Sequence, residues 1–160
     1  MLNIPEGCFP VSLTKPVTTN GGVTTDYVSL KNAVQAWIVV HLTQAVGHAT
    51  LFSPYRATAV APTGAAVLGN AVPIWYCNVS TSSNALAKQT SAVNYTIGVG
   101  VTGEAYIIFQ IDPANLGGSY DCVGLVVADS SQATNFVEAT LWVQPKYASQ
   151  TADQLDFLTD

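Results

Sequence analysis

Glycine, proline and asparagine interrupt the chain at short intervals, and the segments between them have the length of β-strands. Runs rich in β-branched and aromatic residues occupy positions 36–43, 49–57, 73–80, 95–101, 105–111, 120–128 and 136–143. Turn signals separate them, among them Asn20-Gly21-Gly22, Pro62-Thr63-Gly64 and Asn115-Leu116-Gly117-Gly118. About seven or eight short strands with such turns predict an all-β fold. We expect a single antiparallel β-sandwich of jelly-roll type.

The length of 160 residues is typical of one domain with a substantial buried core. Residues 1–25 lack a strong hydrophobic pattern and are punctuated by proline and glycine, so we predict an extended N-terminal arm that reaches a partner. Residues 26–148 are predicted to form the sandwich, and residues 149–160 an acidic C-terminal tail. Proline and glycine also interrupt residues 57–71, which predicts a long loop there.

Charged residues make up only 9% of the chain, against about 25% in an ordinary soluble domain. Hydrophobic residues make up 49%, which excludes an intrinsically disordered chain. The formal net charge is -5 and the five basic residues are scattered, so we expect no nucleic-acid partner. No apolar run approaches the roughly 20 residues of a membrane-spanning helix, and the first residues do not resemble a signal peptide. We therefore expect a soluble protein that is made in the cytoplasm and has no membrane partner.

Residues 98–103 read Gly-Val-Gly-Val-Thr-Gly and match the spacing of the dinucleotide-binding glycine motif. In that motif the third glycine opens a helix whose N-terminus binds the pyrophosphate. Here residues 104–111 have the pattern of a strand. We therefore interpret the match as a hairpin turn between two strands and expect no cofactor.

Groups that carry catalysis or bind metal ions are scarce and widely spaced. The three cysteines have neither zinc-type spacing nor basic neighbours, which predicts free, buried thiols. His41 lies within an apolar strand and is expected to be partly buried rather than a catalytic base. Asp112 and Asp121 flank one loop, where Asp112 before proline is typical of a turn, and a calcium site joining Asp121 to loop carbonyls stays open. We assign no catalytic or metal-binding residue and expect that the protein is not an enzyme.

All three tryptophans, Trp37, Trp75 and Trp142, lie in strand-like runs. Packing in the core explains such positions. If the rings instead lie exposed on one face of a sandwich, they indicate sugar binding or a protein interface. The sequence leaves open which side of its sheet each ring occupies.

Several short segments, in this order, resemble small virion proteins of tailed bacteriophages known as head decoration, cement or minor capsid proteins. The segments are DYVSLKN at 26–32, PTG at 62–64, PIWYCN at 73–78, FQIDP at 109–113, YDCV at 120–123 and PKYA at 145–148. The resemblance covers residues 26–160. It implies a compact β-sandwich, in some members a jelly roll, that binds the outside of a capsid as a dimer or trimer and has no catalytic residues.

We therefore expect a non-enzymatic structural protein on the capsid exterior of a virion, made in the host cytoplasm. Its expected partner is the major capsid protein, whose neighbouring subunits it cements. It is also expected to associate with further copies of itself as a homodimer or homotrimer. The scarcity of charge fits this role, because interface cores are depleted in charged residues and many symmetric copies add up weak contacts. The candidate interface residues, in the arm and in or beside the uncharged loop, are Phe9, Val11, Tyr55, Arg56, Val67 and Leu68.

Two alternatives remain. One is another phage structural component, belonging to the tail, the neck or the base of a fibre. The other is a carbohydrate-binding β-sandwich, which requires exposed tryptophan or tyrosine rings along a groove.

Overall fold

The computed structural model describes residue 4 and residues 7–80 and 84–146, and these residues fold almost entirely as β-strands. The strands are β1 Phe9–Thr18, β2 Val23–Thr24, β3 Val28–Ser29, β4 Ala33–Gln44, β5 Leu51–Ala57, β6 Ala66–Val67, β7 Val72–Asn78, β8 Ala87–Ala92, β9 Tyr95–Thr96, β10 Gly103–Ile111, β11 Cys122–Val127 and β12 Asn135–Pro145. One short 3-10 helix, Pro113–Asn115, precedes β11. The described part of the chain contains no α-helix, which confirms the predicted all-β class.

The strands form two antiparallel sheets that pack face to face. The front sheet has the order β1-β12-β4-β10-β7-β8, and the back sheet has the order β2-β11-β5-β6, with β3 also paired to β11 and β9 to β5. Going along the chain, β1, β4, β10 and β12 of the front sheet alternate with β2–β3, β5 and β11 of the back sheet. The first and last strands are neighbours. This connectivity is that of a jelly roll and confirms the predicted sandwich.

A hairpin extends the front sheet beyond the jelly-roll strands. Both β6 and β9 pair with the outer edge of β5, so together they complete one position of the back sheet. Between β6 and β9 the chain crosses from the back sheet to the front sheet. There it forms the hairpin of β7 and β8, in which β7 pairs with β10. The predicted loop at residues 57–71 therefore contains one short strand, β6, and is otherwise irregular.

Alternation of side chains along the strands places the core between the two sheets. In β4 the side chains of Ile38 and Val40 are fully buried, while Val39 between them faces outward. Strand β10 buries Ile107 and Phe109, and β12 buries Leu141 in the same way. Successive side chains of a strand point to opposite faces, and burying the apolar ones removes their surface from water.

Residues 9–24 do not form an arm set apart from the sandwich, which corrects that prediction. Strand β1 pairs antiparallel with β12 along its length. Its residues Phe9 and Leu13 are buried in the core. The prolines Pro10 and Pro16, which weaken the sequence signal for a strand, are tolerated because β1 is an edge strand of the front sheet.

Three further predictions differ from the structure or fall outside it. Residues 97–102 connect β9 in the back sheet to β10 in the front sheet, and Gly103 is the first residue of β10, so residues 98–103 are not the hairpin turn that we predicted. The predicted strand at 95–101 is limited to the two residues of β9. The predicted acidic tail, residues 149–160, lies outside the described residues.

Candidate interaction surface

Two of the six predicted interface residues belong to the core. Phe9 is 7% exposed and Leu68 is 4% exposed, so neither contributes to the surface of this chain, and the prediction was wrong for both. Phe9 points inward because it lies opposite the buried Val143 on β12. Val11 is half-buried and packs against the same core.

The other three predicted residues lie together at one edge of the back sheet. Tyr55 on β5 lies opposite Val67 on β6, and Val67 is 38% exposed. The guanidinium group of Arg56 lies 4.2 Å from the centre of the Tyr120 ring and donates a hydrogen bond to the carbonyl oxygen of Leu116. Arg56 therefore stabilises the loop before β11.

All three tryptophans lie on the outer face of the front sheet. Trp37 on β4 is directly opposite Trp142 on β12. In the next row, Ile108 on β10 lies opposite Val39 on β4 and opposite Trp75 on β7. These five side chains are half-buried. We call them the tryptophan face.

An apolar groove of about 310 Å³ runs across the tryptophan face. It is lined by Ile4, Cys8, Trp37, Val39, Ile108 and Trp142. The polar atoms that these six side chains offer are two indole N–H groups and one thiol. Large aromatic and aliphatic surfaces with so few polar groups favour burial against another apolar surface.

A small polar cluster borders the tryptophan face. The ring of His41 stacks on Tyr106, with their centres 4.6 Å apart, and its Nδ1 atom lies 3.4 Å from Oε1 of Glu138. The Nε2 atom of His41 is buried and has no hydrogen-bond partner in the described part of the chain. His41 is half-buried, as its position within an apolar strand predicts.

The two aspartates singled out in the sequence both line a pocket of about 420 Å³ at one end of the sandwich. The carboxylate of Asp121 forms an ion pair with Lys31 at 3.0 Å. That of Asp112 accepts a hydrogen bond from the backbone N–H of Ala114 at 2.9 Å and caps the 3-10 helix, which confirms its predicted role in a turn. Among residues 4, 7–80 and 84–146, no group of three or more His, Cys, Asp or Glu residues is placed to hold a metal ion.

The three cysteines are free and buried, as the sequence predicts. Burial raises the pKa of the Cys122 thiol to about 12, and its hydrogen bond to the Asp121 carboxylate adds to this effect. Burial also raises the pKa of the Cys8 thiol. A thiol with a raised pKa is a poor nucleophile at neutral pH, so both are suited to packing rather than chemistry.

The position of Trp37 on the same strand face as Val39 and His41 was within reach of the sequence. Alternation along residues 36–42 assigns the even positions to an apolar face, which leaves Trp37, Val39 and His41 together on the other. The face formed by the even-numbered residues is the buried one because the back sheet packs against it. The pairing of Trp37 with Trp142 joins distant parts of the chain, and no local pattern indicates it.

Comparisons with known proteins do not assign this chain to a family. No protein-family model matches the chain, and no curated protein matches its sequence. The chain has a structural likeness to the crystal structure of the SPBc2 prophage-derived protein YomS, with a TM-score of 0.47 and 11% sequence identity, over 85% of this chain and 91% of that one. The residues that the structure describes include no helix long and apolar enough to cross a membrane.

Proposed function

We propose that this chain is a non-enzymatic structural protein of a phage virion that binds the outer surface of the capsid and cements neighbouring major capsid subunits. The observation that carries the proposal is the tryptophan face, an outward aromatic and aliphatic surface on one sheet. Its five side chains are half-buried and adjoin one another, and large contiguous apolar patches on a protein surface mark interaction sites. The resemblance of residues 26–160 to head decoration proteins supplies the kind of partner.

The chemistry of the groove favours a protein partner. Trp37 and Trp142 supply large, rigid surfaces of the type enriched in the centres of protein interfaces. Around them lie Val39 and Ile108, and charged residues such as Lys88 and Glu138 lie at the margin of the face. An apolar centre with a polar rim is the usual anatomy of such an interface.

The contacts of Asp112 and Asp121, the two aspartates that flank one loop, support a non-enzymatic role. Asp121 is held by Lys31 and Asp112 by a backbone N–H group, so both carboxylates act within the fold. The resemblance to head decoration proteins is the ground on which we also propose that the protein works on the capsid exterior and forms a homodimer or homotrimer there.

Co-sedimentation with capsids that lack the protein tests the proposal. We expect the chain to sediment with such capsids and the Trp37→Ala/Trp142→Ala variant to remain in the supernatant. The matched control is Val99→Ser, which removes a 71% exposed aliphatic side chain from the loop before β10 and keeps binding intact. Thermal unfolding establishes that each variant is folded. Equal sedimentation of wild type and tryptophan variant contradicts the proposal, and binding to tails instead favours another phage structural role.

Carbohydrate binding is the second candidate, because Trp37 and Trp142 do line a groove. Sugar sites combine stacking rings with several hydrogen-bonding side chains, whereas Val39, Ile108 and Ile4 supply none. Glycan-array binding that disappears in the same tryptophan variant would promote this candidate over the first.

A further inference from the structure

A turn at Asn20-Gly21 follows β1 and leads into β2. It is the one place in the sequence where glycine comes directly after asparagine. Such pairs are chemically unstable, because glycine has no side chain to keep its backbone nitrogen away from the preceding side-chain amide. The Asn20 side chain is exposed and has no hydrogen-bond partner within the described part of the chain.

The reaction at such a pair is an internal substitution that releases ammonia. The backbone nitrogen of Gly21 attacks Cγ of Asn20, so a new C–N bond forms while the bond from Cγ to the side-chain nitrogen breaks. The Gly21 nitrogen gives its proton to a base in solution, and the departing nitrogen takes up one proton as ammonia. Water then opens the cyclic imide at either carbonyl, which leaves aspartate or isoaspartate at position 20.

The nucleophile of this reaction is already engaged in the folded protein. The backbone N–H group of Gly21 donates a hydrogen bond to Oδ1 of Asp129 at 2.7 Å. The same oxygen accepts a hydrogen bond from the backbone N–H of Ser131 at 2.6 Å, which fixes the carboxylate within the loop between β11 and β12. The turn is fixed as well, since the N–H of Gly22 donates to the Thr19 carbonyl at 3.1 Å.

We propose that Asn20 is a latent site of spontaneous deamidation and that the Asp129 carboxylate keeps it unreacted in the folded protein. Two effects act in the same direction. The Gly21 nitrogen has to give up its hydrogen bond before it can turn towards Cγ of Asn20. Its deprotonation also places a second negative charge 2.7 Å from the ionised carboxylate, and like charges so close repel each other.

Asp129 is too weak a base to promote the attack instead. Hydrogen bonds from the backbone N–H groups of Ser131 and Gly21 hold the pKa of its carboxyl below the ordinary value. A peptide N–H is a far weaker acid than a carboxylic acid, so proton transfer from Gly21 to Asp129 is strongly unfavourable. The carboxylate therefore acts as a hydrogen-bond acceptor and a fixed negative charge, and both disfavour the reaction.

Reaction at Asn20 would damage the connection between the two sheets. Isoaspartate adds one bond to the backbone of the turn that joins β1 in the front sheet to β2 in the back sheet. The turn has little room to adjust, because a Cβ atom on Gly22 lies only 3.1 Å from the Val127 carbonyl oxygen. This chemistry does not involve the tryptophan face, so it is independent of the proposed function.

Incubation in neutral buffer followed by peptide mapping tests the proposal. Mass spectrometry with fragmentation assigns the loss of ammonia and uptake of water to position 20, and chromatography separates isoaspartate from aspartate. We expect Asp129→Ala to react about tenfold faster than wild type, the order expected for losing a hydrogen bond to an exposed charged group. Asp129→Asn keeps an acceptor but loses the charge, so its rate should lie between the two.

Ser130→Ala is the matched control. It removes the 2.6 Å hydrogen bond between the Ser130 and Thr19 hydroxyls and leaves the bond from Gly21 to Asp129 in place. Thermal unfolding establishes that each variant is folded during incubation, and Asp129→Asn decides the test if Asp129→Ala is not.

Three outcomes overturn the proposal. The first is that the Asp129 variants react no faster than wild type, and a slower reaction shows that the carboxylate acts as a base. The second is that Ser130→Ala reacts as fast as Asp129→Ala, because general loosening of the loop then explains the effect. The third is that folded wild type reacts as fast as wild type unfolded in urea, since the fold then gives Asn20 no protection.

Discussion

Trp37 and Trp142 lie directly opposite each other on β4 and β12, on the outer face of the front sheet. The two residues belong to distant parts of the chain, and the jelly-roll connectivity brings them together by placing the last strand beside β4. Directly opposed residues of an antiparallel pair have their Cβ atoms about 4.5–5.5 Å apart. The pairing therefore concentrates two large aromatic side chains at one point of a surface that carries few charges.

Asn135 is predicted to be essential for stability. Its buried side chain accepts a hydrogen bond from Val46 N–H at 3.0 Å and donates one to the Val46 carbonyl at 2.8 Å. Asn135→Ala removes both of these part-buried hydrogen bonds, which we expect to lower the free energy of unfolding by about 1–3 kcal/mol. Urea denaturation measures the loss. Asn70→Ala is the control, because its hydrogen bond to Asn115 is exposed, and an equal effect of both substitutions contradicts the prediction.

Gly47 is predicted to tolerate no side chain. A Cβ atom there meets the carbonyl oxygen of Val99 in the loop before β10 at a distance that forces the backbone to move. We expect Gly47→Ala to destabilise the protein by about 1–3 kcal/mol, as overpacking does elsewhere. Gly98→Ala in the same loop is the matched control, since its Cβ has open space. Similar melting temperatures for the two variants would refute the steric explanation.

Asp129 is predicted to make stability depend on pH in the acid range. Hydrogen bonds from the backbone N–H groups of Ser131 at 2.6 Å and Gly21 at 2.7 Å hold the pKa of its carboxyl below the ordinary value. The ionised form thus favours the folded state. Its contribution is fully present above the pKa of an unfolded aspartate and is lost as the pH falls through the lower pKa of the folded state.

The comparison of wild type with Asp129→Asn measures this contribution. Melting temperatures are recorded from neutral pH downward for both proteins. We expect the wild type to be more stable at neutral pH and the difference to shrink as the medium becomes acidic. A difference that is constant across the whole range shows that the hydrogen-bond geometry matters and the charge does not.

Cys122 is predicted to resist alkylation in the folded protein. Burial is the main cause of its pKa of about 12, so the thiolate is scarce at pH 8 and is also shielded from the reagent. Iodoacetamide at pH 8 should leave Cys122 unmodified in buffer and modify it fully in denaturing urea. Mass spectrometry of the digested protein reads out both reactions, and rapid labelling of Cys122 under native conditions would contradict the assignment.

Prediction from sequence worked best where a strand carries its own signal. Strands β4, β10 and β12 alternate apolar and polar residues over many positions, and each lies where the pattern indicates. Among the strands longer than two residues, β1 and β8 gave no such signal. In β1 the prolines and threonines hide the inward-facing Phe9 and Leu13, and β8 is polar because it is the edge strand beyond β7 and has exposed side chains.

The candidate surface was only partly within reach. The sequence identified the three tryptophans and the two roles that their exposure would indicate. It also selected Phe9 and Leu68 as interface residues, although both are core residues. An apolar side chain at an irregular or proline-rich position gives no local indication of whether other strands cover it.

By itself, the sequence determined the all-β class, the positions of β4, β10 and β12, and the sharing of one strand face by Trp37 and His41. These features depend on the two-residue period of a strand. The tertiary structure decided the strand order, the inclusion of β1 in the front sheet and the outward direction of the tryptophans. These depend on pairings such as β1 with β12, between residues at opposite ends of the described chain. The register of such pairs is set by which faces are buried when two sheets pack, and that is a property of the assembled sandwich.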